Sequence, residues 1–169
     1  CEASRGLGDV YKRQEFVNVM SESRRMALHL LDLDENEYTS LFLQGGASLQ
    51  FLMIAYNFLN SKAGYVDTGS WSTKAMKEAK LFGEVIEIAS SKENNFNYIP
   101  KDYKISDDMD YAHITTNNTI YGTQFHKIPE SPCPLFSDMS GSYTHLRAHE
   151  TLHKLGLRVL LEKRGGGGG

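Results

Sequence analysis

The stretch Tyr38-Thr39-Ser40-Leu41-Phe42-Leu43-Gln44-Gly45-Gly46-Ala47-Ser48 decides how the chain is to be read. Residues 38–44 read as a strand ending at a glycine pair. Residues 48–59 are apolar nearly all round and too long for a strand, which predicts a buried helix. On the C-terminal side, 64–69 is a short strand, and Trp71, Ala75, Ala79 and Phe82 then recur at helical spacing, with Lys74, Lys77 and Lys80 facing water. Gly83 stops that helix and 85–89 is a further strand. Residues 111–116 and 134–140 each resemble strands feeding functional loops. On the N-terminal side, 15–31 is a helix with Phe16, Val19, Met20, Ala27, Leu30 and Leu31 on one face. Strands alternating with helices imply crossover units, hence an α/β fold with a mostly parallel sheet flanked by helices. Ligands in such sheets collect at the carboxyl ends of the strands.

Between the strands, residues 91–110 are polar and interrupted by Asn94-Asn95 and Pro100, with the acidic cluster Asp107, Asp108 and Asp110. A charge run of that kind reads as a solvated excursion. The two ends depart from the pattern. Residues 1–14 lack periodicity, and 141–169 is basic, His-rich and closes on Gly165–Gly169, a homopolymer that cannot pack. Both resemble translated adapter sequence, notably Asp9-Val10-Tyr11-Lys12-Arg13-Gln14 and Ser142-Tyr143-Thr144-His145-Leu146-Arg147-Ala148-His149-Glu150-Thr151. They are expected to be foreign, disordered tails around a 15–140 domain.

Composition narrows the function classes. The 169 residues are 40% apolar and 23% charged, the balance of a globular protein, with a net charge of −3. That sign argues against nucleic acid as the main partner. No apolar run approaches the roughly 18 residues of a membrane span, and the first residues lack a signal peptide's apolar core. The two cysteines, Cys1 and Cys133, make no disulfide framework. Cys133, in Ser131-Pro132-Cys133-Pro134, reads as a buried or loop thiol. A reduced, cytoplasmic protein is expected.

Four short motifs could carry chemistry. In Gly45-Gly46-Ala47-Ser48, small residues let backbone amides approach a phosphate, the helix N-terminus adds unpaired N–H groups, and Ser48 could donate or cap. A tight turn without ligand fits the same residues. In Gly69-Ser70-Trp71-Ser72, the chain's one tryptophan stands where a strand hands over to a helix. There a flat ring could stack on a planar cofactor or anchor the core. Thr115-Thr116-Asn117-Asn118-Thr119-Ile120-Tyr121-Gly122 suits a ligand loop and equally an ordinary turn. Asp138, among apolar neighbours, is costly to desolvate unless a cation pairs with it, and a protonated pyridine nitrogen is a suitable one. An exposed strand-end aspartate is the plain alternative.

In succession, residues 42–51, 65–71, 113–120 and Asp138-Met139-Ser140 resemble the phosphoserine aminotransferase family over about residues 15–140. The resemblance implies part of the large, cofactor-binding domain of a fold-type I, class V enzyme that uses pyridoxal 5'-phosphate. Ala47 and Ser48 match positions that hold the cofactor phosphate, Trp71 the aromatic stacked on the ring, Thr119 a contacting threonine, and Asp138 the partner of the ring nitrogen. The implied reaction moves an amino group between glutamate and 3-phosphohydroxypyruvate, giving phosphoserine and 2-oxoglutarate in serine biosynthesis. The implied assembly is a homodimer. The family's Schiff-base lysine lies beyond Asp-Met-Ser, where this chain continues with Gly141; Lys154 and Lys163 match no motif. Within 15–140 the only arginines are Arg24 and Arg25, so no substrate clamp is evident. The chain as written is therefore expected to be an inactive fragment, with no catalytic residue of its own.

Two other readings stand beside this one. A non-catalytic α/β binding module would keep the platform without the chemistry. His149-Glu150-Thr151-Leu152-His153 matches the zinc-hydrolase pattern H-E-x-x-H. It has no third ligand at a recognised spacing and lies wholly in the adapter-like tail, so no metal site is expected.

Overall fold

The computed structural model describes residues 2–140, with side chains from residue 13 onward. The described residues divide into two compact units, 2–42 and 43–140. The zinc-like pattern and both tail lysines lie outside the described residues.

The first unit holds helix α1, Glu2–Leu30. It starts well before the expected Glu15, so the backbone is helical across the boundary read at residues 14–15. Its end is a six-residue closure: Leu33 N–H donates to Leu28 O at 3.0 Å and Asp32 N–H to His29 O at 3.1 Å, with Asp32 left-handed at φ 54°. Aspartate tolerates that conformation better than most side chains. The predicted apolar face is only partly covered: Phe16, Val19 and Leu30 are exposed, whereas Leu28, outside it, is buried.

In the second unit, α2 (Gly46–Phe58) leads to β1 (Lys62–Asp67), α3 (Ser70–Ala79) and β2 (Glu84–Ser90). A 3-10 turn, Lys92–Asn94, precedes β3 (Tyr111–Thr115). A small antiparallel hairpin of β4 (Asn117–Asn118) and β5 (Thr123–Gln124) follows, then β6 (Leu135–Asp138). The strands order as β2-β1-β3-β6, and all three pairings are parallel. From β1 the chain crosses through α3 to β2 on one side, while β3 lies on the other. The order therefore reverses at β1, and the crevice beyond the carboxyl ends of β1 and β3 is a topological switch point, the usual ligand position in such sheets.

Residue alternation decides what each face does. Ala63, Tyr65, Tyr111 and Phe136 turn toward α2 and α3, packing with Phe51, Ile54, Ala55, Ala75, Met76 and Ala79. Inside this layer the Tyr65 and Tyr111 hydroxyls meet at 2.8 Å, and burial raises the pKa of both phenols. On the other face Val66, Ala112 and Ile114 are covered by irregular chain carrying Phe125, Ile105 and Cys133.

Two expectations change here. Residues 38–44 form no strand, and Leu41, Phe42 and Leu43 are 53%, 46% and 48% exposed. A strand exists only through a ladder partner, and none of the strand pairings involves this segment. The 91–110 excursion is less solvated than its charge suggested. Phe96 and Ile105 are buried, and Lys62 pairs with Asp108. Asp110 Oδ2 accepts the backbone N–H groups of Asn60, Ser61 and Lys62 at 2.9, 2.6 and 3.1 Å, fixing the entry to β1. Among the described residues no helix is long and apolar enough to cross a membrane.

Candidate functional site

The turn into α2 is built by glycine. Gly45 and Gly46 are left-handed at φ 93° and 67°, and a Cβ on Gly45 would fall 2.1 Å from Leu49 Cδ2. Gly45 is the N-cap, so Ser48 does not cap the helix as its position allowed. The first turn of α2 has neither a side-chain cap nor an acidic residue. Its leading N–H groups have no intrahelical acceptor, and the positive end of the helix is uncompensated by a carboxylate of its own. Ala47 and Ser48 sit in this turn. The exposed Ser48 Oγ accepts a hydrogen bond from Lys74 Nζ at 2.8 Å.

The turn from β1 into α3 is held by a buried carboxylate. Asp67 Oδ1 accepts from Ser72 Oγ at 2.7 Å and Thr73 Oγ1 at 2.9 Å. Ser72 Oγ in turn accepts the N–H groups of Thr68 and Gly69, both at 2.9 Å. Trp71, on this braced turn, is 39% exposed, which favours a rim position over a core anchor. Lys74, one turn further along the same side, places its ammonium 5.8 Å from the Trp71 ring centroid. Lys74 was expected to face water with Lys77 and Lys80; instead its ammonium lies between two of the candidate site residues.

Across the switch point the two loops are tied together. Buried Asn118 donates through Nδ2 to Thr68 Oγ1 at 3.2 Å and to Thr123 Oγ1 at 3.3 Å. The Tyr121 and Ser70 hydroxyls meet at 3.1 Å. These bonds hold the β4–β5 hairpin against the start of α3. Thr119 is exposed on the hairpin turn, and among the described residues no hydrogen bond joins it to Ser48, Trp71 or Asp138.

Asp138 ends β6 in register with Thr115, and its carboxylate accepts from Ser140 N–H at 3.0 Å and Ser140 Oγ at 2.7 Å. Beneath it on the same face is the fully buried His113, in register with Phe136 and stacked on Tyr65 with ring centroids 5.0 Å apart. Burial drives the His113 pKa down to about 4, with the nearby Asp138 pulling the other way. His113 Nδ1 and Thr115 Oγ1 are buried with no hydrogen-bond partner among the described residues.

The phosphoserine aminotransferase of Phocaeicola vulgatus is 53% identical over 130 residues, which is 77% of this chain and 36% of that protein. Over about three quarters of its length the chain is homologous to phosphoserine aminotransferase. The solved phosphoserine aminotransferase from Bacillus circulans subsp. alkalophilus superposes with a TM-score of 0.68 at 42% identity, over 72% of this chain and 35% of that one. The PLP-bound phosphoserine aminotransferase from Trichomonas vaginalis gives 0.64 at 31% identity, over 73% and 36%. The chain thus spans about a third of the length of the relatives it matches. No family model matches it.

The α2 entry, Trp71 and the end of β6 all lie toward the carboxyl ends of the sheet, where ligands collect in parallel α/β folds. Reading the sequence missed Lys74, Asp67, Asn118 and His113. Lys74 carried one usable signal, its three-residue spacing from Trp71, which puts both on one side of a helix. Asp67 had partners only five and six residues on, in Ser72 and Thr73, whereas nothing local to Asn118 or His113 announces Thr68 or Tyr65, far back along the chain.

Proposed function

We propose that this chain carries part of the cofactor-binding large domain of a pyridoxal 5'-phosphate-dependent phosphoserine aminotransferase, the plain binding module having no feature of its own to favour it. The observation that carries the reading is the meeting of Ser48, Trp71 and Lys74 at one end of a parallel sheet, in a chain 53% identical to such an enzyme. The residues present fit the group. The α2 entry is a glycine-built, acid-free cradle for an anion. Trp71 offers a ring at the rim, and Asp138 stands beside a buried hydroxyl, Thr115 Oγ1, that lacks a partner among the described residues.

In this reading the amides of Ala47 and Ser48 and the Ser48 hydroxyl hold the phosphate, and Trp71 lies against the pyridine ring. Asp138 pairs with the ring nitrogen and keeps it protonated, and Thr119 contacts the cofactor from the hairpin turn. The bound cofactor supplies an electron-withdrawing ring that lets an amino group pass between an amino acid and a 2-oxo acid. Glutamate and 3-phosphohydroxypyruvate are the proposed substrates, phosphoserine and 2-oxoglutarate the products, and a cytoplasmic homodimer the working form of the whole enzyme. Arg24 and Arg25, both exposed on α1, are the only arginines within 15–140. Gripping two anionic substrates then falls to residues outside that stretch. The 169-residue chain itself should not turn over, because no lysine in it stands in the family's anchoring motif.

The test is a titration of the full chain with pyridoxal 5'-phosphate, read by quenching of Trp71. Saturable quenching, weakened by Asp138→Asn and without amino transfer from glutamate, is the expected result. A flat titration overturns the cofactor reading, and measurable amino transfer overturns the inactivity.

A further inference from the structure

We infer that Lys74 is a phosphate-binding residue of this site, supplying the cation that the glycine-built cradle lacks and aiming the Ser48 hydroxyl at the phosphate. The inference rests on the cofactor reading above and adds to it a residue that no motif contained.

Donor arithmetic comes first. A lysine ammonium has three N–H donors and no acceptor, so in the 2.8 Å contact Lys74 donates and Ser48 Oγ accepts. That leaves the Ser48 hydrogen free to point away from Lys74, and two ammonium donors unspent. A phosphate monoester placed at the first turn of α2 would meet the leading amides, the Ser48 O–H and the ammonium together.

Charge is the second argument. Such an ester carries about −1.5 to −2 near neutral pH, whereas amides and a hydroxyl are neutral donors. The first turn of α2 holds no acidic residue to repel it. Among the described residues the ion pair present joins Lys62 to Asp108, and Lys74 has no carboxylate partner. Its charge is thus left for something brought to the site. Position is the third. The ammonium lies 5.8 Å from the Trp71 ring centroid while bonded to Ser48, so it bridges the place for a ring and the place for a phosphate. A surface lysine that merely covers the tryptophan with its stem would have no need of Ser48.

The probes are pyridoxine 5'-phosphate and pyridoxine, which lack the aldehyde and cannot react with lysine. Binding to the full 169-residue chain is followed through Trp71, the only tryptophan. Lys74→Met should weaken pyridoxine 5'-phosphate by about ten-fold or more, the worth of a hydrogen bond to a charged group, and leave pyridoxine unchanged. Lys74→Arg, which keeps the cation, should stay within about three-fold of the parent. Thermal melts of both variants should match the parent. If Lys74→Met binds the phosphate ester as the parent does, or loses both compounds equally, Lys74 is not a phosphate ligand. If the parent chain binds neither compound, the cofactor reading itself fails and this inference falls with it.

Discussion

At the scale of single residues, the second unit stores its polar chemistry in buried side chains whose charge state the fold controls. His113 is the clearest case. An unfolded imidazole takes up a proton as the pH falls through 6.5, whereas the folded one resists until about 4, because burial disfavours the cation. Between those values the unfolded state binds more protons, so stability is whole above the upper limit and declines as the pH falls toward the lower one. His113→Phe should flatten the stability–pH curve between pH 6.5 and 4 in urea unfolding while changing little at neutral pH. A variant curve as steep as the parent's would place the titration elsewhere. Asp67 makes a different point. Among the described residues no ion pair reaches it, and it is satisfied by the Ser72 and Thr73 hydroxyls at the N-terminus of α3, where negative charge is favoured.

Elements were legible to different degrees, for physical reasons. The strand and helix cores at β1, α3, β2, β3 and β6 were readable because each carries its own apolar run or period, bounded by turn residues within the same stretch of sequence. Residues 38–44 have the same apolar, β-favouring character and form no strand. Strand propensity measures how well a side chain fits a pleated surface, so without a partner ladder it is not expressed. The exposed Leu41 and Leu43 are thus expected to be replaceable. Leu41→Lys with Leu43→Lys should raise solubility while shifting the urea midpoint by less than the equivalent of about 0.5 kcal/mol. A larger loss of stability would show that the segment is packed. Asp110 errs in the other direction: it reads as one charge among three, and the fold gives it three backbone N–H groups to hold.

On the scale of the whole molecule, four parallel strands leave β2 and β6 as edges, with no further strand paired to either among the described residues. Unpaired edges and exposed apolar residues both favour association. The chain should therefore associate more as its concentration rises, seen as a growing sedimentation coefficient. A single monomeric species at every concentration would show that the edges are protected.

The amino-acid sequence by itself determined the α/β alternation, the glycine-built entry to α2, the placing of Ala47, Ser48, Trp71, Thr119 and Asp138 at helix starts, in a turn or at a strand end, and the resemblance that the comparisons bear out. These are local properties, or a linear succession of local ones. Only the tertiary structure decided that β1 lies between β2 and β3 and so makes a switch point. It alone brought Lys74 to Ser48 across 26 residues and Asn118 to Thr68 across 50. Long polar side chains choose partners by what the fold brings within about 3 Å, and no spacing along the chain encodes that distance.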